Sequence, residues 1–145
     1  MSKRLAFLIF VLLNIACSLW AQEDIKDFLN PTPLEETTAF KKYSVSSRLA
    51  LDEIYFLLDQ IESSPYRFER KGKQCSGKMA AKHLRFKFRF AKAKVKTAEE
   101  FIEHVASATT KTKDPYYLIF GSSRRLPLKQ VYYNELNRLR QYLPK

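Results

Sequence analysis

Ser76 to Val95 reads SGKMAAKHLRFKFRFAKAKV, and whether this stretch is helix or strand decides the fold. Phe86, Phe88 and Phe90 alternate with Lys87 and Arg89, as in a strand with one buried face. Helical spacing accounts for more of the residues. At 100° per residue, Met79, Phe86, Phe90 and Ala93 form one apolar stripe, with His83 at its margin. Ala80, Leu84, Phe88, Ala91 and Val95 form a second. Two stripes predict a helix packed on both sides, begun at Ser76-Gly77 and running to about Val95. Between the stripes stand Lys78, Lys82, Arg85, Arg89 and Lys92, a basic ridge roughly 21 Å long.

Upstream of this helix, Ala50, Ile54, Leu57, Leu58 and Ile61 recur at three- and four-residue steps, with Asp52 and Asp59 opposite. That pattern predicts a helix from Ser47 to Ser63-Ser64, stopped by Pro65. Tyr66 to Arg70 alternates, Lys71-Gly72 offers a turn, and Lys73-Gln74-Cys75 returns as a short strand. Downstream, Thr97 with Glu100 is a capping box that opens a third helix carrying Ala98, Phe101, Ile102 and Val105 on one face. Thr109 to Asp114 reads as loop, and Pro115 to Phe120 as a strand ended by Gly121. Pro127 suits the first turn of a last helix whose apolar side is Leu128, Tyr132, Leu136, Leu139 and Leu143. The fold expected over residues 44–145 is one small α+β domain, with about four helices and a short two- to three-stranded antiparallel sheet.

The ends differ in kind. Lys3-Arg4 precedes the apolar run Leu5 to Leu13; Asn14 interrupts it, Ile15 to Ala21 continues it, and Gln22-Glu23-Asp24 is polar. This is the pattern of a signal peptide over residues 1–21, cleaved after Ala21, and predicts export to the periplasm or the extracellular space. A spanning helix wants roughly 20 apolar residues, so no spanning helix is expected once the signal is removed. A lipoprotein acylated at Cys17 is the lesser alternative, because Asn14 stands where a large aliphatic residue is wanted. Residues 22–43 hold Pro31, Pro33 and a polar run without period, and read as a linker or loose arm.

Composition supports one packed domain: 145 residues, 46% apolar, only 3 glycines. With 26 Lys+Arg against 15 Asp+Glu the chain is strongly basic, and the excess is local. Gln22 to Glu62 carries nine acids and four bases, Ser63 to Lys96 one acid and twelve bases, and Thr97 to Lys145 five acids and eight bases. Like charges three or four apart on a helix cost a few tenths of a kcal/mol per pair, about 1–2 kcal/mol for the ridge. Either Asp52 and Asp59 offset that cost from within, or an external anion does: an acidic protein, or an anionic lipid or polysaccharide surface. Bases flanked by Tyr66, Phe68, Tyr116, Tyr117 and Phe120 would also suit single-stranded nucleic acid. Core packing explains those aromatics more simply, and an exported protein seldom meets nucleic acid.

Signals for chemistry are few. The chain has two cysteines and two histidines, which excludes a disulfide scaffold and a cysteine-rich zinc site. Neither His83 nor His104 has a ligand at metal spacing, since adjacent Glu103 and His104 diverge on a helix. No metal or cofactor is expected. The one catalytic alternative is a small hydrolase with Cys75 as nucleophile at a helix start and His83, or else His104, as base; the plainer reading makes Cys75 a half-buried filler and His83 a satisfied core residue.

Several pieces together resemble a known family. These are Glu53-Ile54 with Leu57-Leu58, Phe68 to Lys73, Ala80-Ala81-Lys82-His83-Leu84, Thr97-Ala98-Glu99-Glu100-Phe101-Ile102 with Val105-Ala106-Ser107, and Pro115-Tyr116. The resemblance is to small exported bacterial proteins grouped as domain of unknown function 5329. It implies bacterial origin and export but no reaction, and an aromatic residue in the family where Cys75 stands here weakens a shared role for the thiol. The sequence thus points to a non-enzymatic exported binding or accessory protein whose ridge, Lys78, Lys82, Arg85, Arg89 and Lys92, meets an acidic partner or the anionic envelope.

Overall fold

The structure is a computed structural model that describes residues 28–122 and 124–143. The expected signal peptide and Cys17 lie outside the described residues. Within them a helical layer covers one face of a four-stranded antiparallel sheet of order β2-β1-β3-β4.

Residues 28–43 belong to the stretch expected to be a linker or loose arm, and here they are packed. Leu29, Leu34, Ala39 and Tyr43 are buried. A 3-10 turn at Leu34–Glu36 leads into helix α1, Thr38–Ser44, whose N-cap Thr37 accepts from the Phe40 amide at 3.2 Å. The anchor for this segment is Glu135. Its carboxylate accepts from the Leu29 amide at 3.1 Å and from Gln60 Nε2 at 2.8 Å, while Arg138 donates to the Thr32 carbonyl at 2.9 Å.

Helix α2, Ala50–Ser63, starts where the Asp52 carboxylate accepts from the Leu49 amide at 2.9 Å, and stops at Ser64, extended ahead of Pro65. Strands β1, Arg67–Arg70, and β2, Lys73–Ser76, form a hairpin. Lys71 (φ 49°) and Gly72 (φ 74°) both take the left-handed conformation of a two-residue turn whose twist matches the strands. Helix α3, Gly77–Ala91, follows directly, four residues shorter than expected because Lys92 to Lys94 turn away before Val95 is buried. The capping box at Thr97 and Glu100 is present and opens α4, Ala98–Phe101. That helix loosens at once into a π turn, Ile102–Ala106.

The expected α+β class holds, while the element counts differ. Strand β3, Tyr116–Phe120, pairs with β1, and an unexpected fourth strand, β4, Arg124–Pro127, pairs with β3. The run Arg124-Arg125-Leu126-Pro127 lacks a clear apolar alternation, and an edge strand does not need one. Pro127 therefore ends a strand and caps helix α5, Leu128–Tyr142, instead of opening its first turn. With α1 included the described residues hold five α-helices.

Strand register places Phe68, Cys75, Leu118 and Leu126 in one row across the sheet. Phe68 and Leu118 are buried under the helices, with Ile54, Leu57, Leu84, Phe101, Tyr132 and Leu136 in the same core. Two residues on, the same side of the sheet carries Arg70, Lys73 and Tyr116. A guanidinium thus sits on the helix-facing side of the sheet, at its rim.

Candidate functional site

Helix α3 contributes to two surfaces, and its geometry follows from a close approach at its start. A Cβ at Gly77 would lie 2.2 Å from the Ile61 carbonyl oxygen, so only glycine lets α3 begin against the end of α2. From there Ala81, Leu84 and Phe88 are buried. The expectation that α3 packs on both sides is not met. Met79, Phe86 and Phe90 are 56%, 54% and 72% exposed. Helix α2 and the π turn cover one side, the hairpin reaches only the first turns, and no described element covers the outer side. The Phe86 and Phe90 rings meet edge-on with centroids 4.9 Å apart, in solvent.

The five ridge residues divide. Arg85 donates to Asp59 at 2.6 Å and to Glu62 at 2.8 Å, holding α3 to α2. Lys92 lies 3.3 Å from the Tyr55 hydroxyl, its ammonium toward that ring. Lys78, Lys82 and Arg89 are exposed and have no carboxylate partner among the described residues. Acids elsewhere are occupied: Glu53 and Glu99 by Arg140, Glu69 by Arg125, Glu103 by Lys129, Asp114 by Lys71. Internal pairing therefore takes up Arg85 alone among the five.

The second surface is concave. A cavity of about 390 Å³ opens between α3 and the β1–β2 hairpin. Phe68, Ala80, Leu84 and Leu128 give it apolar walls, and Arg70, Lys73, His83, Cys75 and Tyr116 add polar groups. Arg70 Nη1 is 2.9 Å from His83 Nε2. A guanidinium can only donate, so Nε2 accepts and the neutral ring carries its proton on Nδ1. Burial, then the charges of Arg70 and Lys87, hold the His83 pKa below its ordinary value. Behind it Lys87 Nζ donates to the carbonyls of Val105 at 2.5 Å and Ala108 at 2.8 Å, closing the end of the π turn. Burial pushes that ammonium down to about 8.

Cys75 and His83, the expected nucleophile and base, both line this cavity. No hydrogen bond joins them among the described residues, and burial raises the thiol pKa against the pull of Arg67 and Arg70. A nucleophile needs the opposite on both counts. Sequence reasoning passed over Arg70 and Lys87. Arg70 was legible, because alternation from Phe68 puts it on the buried side; Lys87 had no local signal, since its acceptors lie in a distant turn. No three His, Cys, Asp or Glu side chains among the described residues are grouped to hold a metal ion.

No curated protein and no solved structure matches the chain. A match to a family of unknown function spans residues 49–140, from the start of α2 nearly to the end of α5, and so includes both the outer side of α3 and the cavity. On that span the chain belongs to DUF5329, a family of unknown function.

Proposed function

We propose that this is a non-enzymatic binding protein of the cell envelope that rests the outer side of α3 on an anionic lipid surface. The observation that carries the reading is the mixture on one helix face: Lys78, Lys82 and Arg89 without carboxylate partners among the described residues, beside the exposed Met79, Phe86 and Phe90. A helix with bases and aromatics on one exposed face lies in the plane of a membrane interface, rings toward the acyl boundary and bases among headgroups. Each base near an anionic leaflet contributes about 1 kcal/mol, so three bases favour binding by about 3 kcal/mol before the rings are counted. No helix among the described residues is long and apolar enough to cross a membrane, so contact would be peripheral. Export by residues 1–21 would bring the domain to such a surface.

Co-sedimentation with phosphatidylglycerol/phosphatidylcholine vesicles tests this. Wild type should bind at low salt, release as salt screens the charges, and ignore pure phosphatidylcholine. Lys82→Glu with Arg89→Glu should abolish binding, and Phe86→Ala with Phe90→Ala should weaken it. Wild type that stays in solution at low salt defeats the lipid reading, as does an acidic protein that occupies this face while vesicles do not bind.

A further inference from the structure

The cavity between α3 and the hairpin shares only Met79 with the outer side of α3 and has a chemistry of its own. Its depth is apolar, formed by Phe68, Ala80, Leu84 and Leu128, and its volume of about 390 Å³ falls in the range of small-molecule sites. Its rim is cationic. Strand register sets Arg70 and Lys73 opposite one another on the helix-facing side of the sheet; Lys71, in the turn between them, is paired with Asp114 at 3.4 Å. The lining includes one acid, Glu69. Glu69 is one residue out of phase with Arg70, on the other side of the strand, and pairs there with Arg125. Arg70 itself donates to a neutral imidazole and meets no carboxylate among the described residues. A planar donor fork at the mouth of an apolar hollow, with its charge uncompensated, is the arrangement that recognises a carboxylate or phosphate.

From this we infer that the cavity is a binding site for a small amphipathic oxyanion, a single carboxylate or phosphate head on a compact apolar body. The head is held by Arg70, with Lys73 adding charge, and the body lies against Phe68, Leu84 and Leu128. Ala80 leaves the space that the body fills.

The test uses the folded protein and displacement of the fluorescent sulfonate 8-anilinonaphthalene-1-sulfonate. Octanoate and octyl phosphate are the two oxyanion probes; octanol and octylamine are the controls. At least one oxyanion should displace the dye at least about tenfold more tightly than octanol, the difference expected for a charge-assisted hydrogen bond. Which of the two is tighter identifies the head group. Octylamine should not compete. Arg70→Ala should remove the preference over octanol, and Arg70→Lys should restore part of it. Ala80→Phe should block every probe with the thermal unfolding midpoint retained, and should leave vesicle binding as in wild type. Equal affinity for octanoate, octyl phosphate and octanol, or an Arg70→Ala variant that keeps the preference, overturns the proposal. So does dye binding that survives Ala80→Phe in the folded protein. Failure here leaves the vesicle result standing, and loss of vesicle binding in the Lys82→Glu, Arg89→Glu variant should leave the oxyanion site intact.

Discussion

The Arg85 guanidinium lies 2.6 Å from the Asp59 carboxylate, which ties α3 to α2 and removes one base from the ridge. Glu62 receives the same guanidinium at 2.8 Å. Because half-exposed pairs contribute roughly 0–1 kcal/mol each, Arg85→Ala should cost about 1 kcal/mol, and Arg85→Glu more through repulsion. Lys82→Glu should stay within about 0.5 kcal/mol of wild type. Urea unfolding of the three variants separates them; equal stabilities would mean that Arg85 is no more structural than Lys82.

How far the sequence could be read depends on whether the cause is local. The α2 stripe, the stop at Pro65, the Lys71-Gly72 turn and the Thr97/Glu100 cap are each made by neighbours in sequence, and each was legible. The exposed side of α3 was not, since an apolar period shows which residues align but not whether anything covers them. Met79, Phe86 and Phe90 form as regular a stripe as Leu84 and Phe88. Residues 28–43 were opaque for a related reason: Glu135, which fastens Leu29, is 106 residues away. Of the site, Arg70 could have been placed by strand alternation, whereas the split of the ridge rests on Asp59 and Glu62 crossing from another helix.

Gly77 limits how closely α2 and α3 approach. With a Cβ 2.2 Å from the Ile61 carbonyl oxygen and 3.0 Å from that of Ser64, Gly77→Ala must push the helices apart. The expected loss is about 1–3 kcal/mol, as for other overpacked sites. Gly72 is a contrast, with φ 74° and open space where a methyl group would stand; Gly72→Ala should cost about 1 kcal/mol through backbone strain alone. Chemical denaturation of the two variants should rank them in this order, and a harmless Gly77→Ala would show that the helices have room to spare.

Glu135 should give stability a pH dependence of unusual sign. Burial raises its pKa above the ordinary 4.5, although Arg138, Leu29 and Gln60 pull it down. The folded state then holds a proton that the unfolded state releases, so this group's contribution falls as pH rises from 4.5 through the raised value. Glu135→Gln keeps an acceptor for Leu29 and offers an amide to Gln60 Oε1, which has no partner among the described residues. The difference in unfolding free energy between wild type and Glu135→Gln should therefore be larger near pH 4.5 than at pH 8. A difference that grows with pH would show that the Arg138 pair outweighs burial.

Lys87 acts in the alkaline range with the opposite slope. Its folded pKa of about 8 lies below the ordinary 10.5, so between those values the unfolded chain binds the proton that the folded one lacks. Stability from this group should rise as pH goes from 8 to 10.5. Lys87→Met should remove that rise and also leave the Val105 and Ala108 carbonyls unmet, at about 1–3 kcal/mol. Unfolding midpoints for both proteins at pH 7.5 and pH 10 measure the two effects; parallel shifts would place Lys87 in ordinary solvent.

Cys75 reports on both the thiol and the cavity that it lines. Burial raises its pKa above the ordinary 9.0, while Arg67 and Arg70 draw it down by a smaller amount. The thiolate is the reacting form, so iodoacetamide at pH 7.5 should alkylate folded Cys75 more slowly than a cysteine in a short peptide. The rate should rise with pH and keep rising past 9, where an ordinary thiol levels off. Arg70→Ala removes one of the two cations and should slow the reaction further at pH 7.5, although it also opens the rim. Slowing under those conditions distinguishes electrostatics from access, because access alone would speed the reaction. A folded Cys75 that matches or outpaces the peptide near neutral pH would revive the hydrolase reading, with His83 as its base.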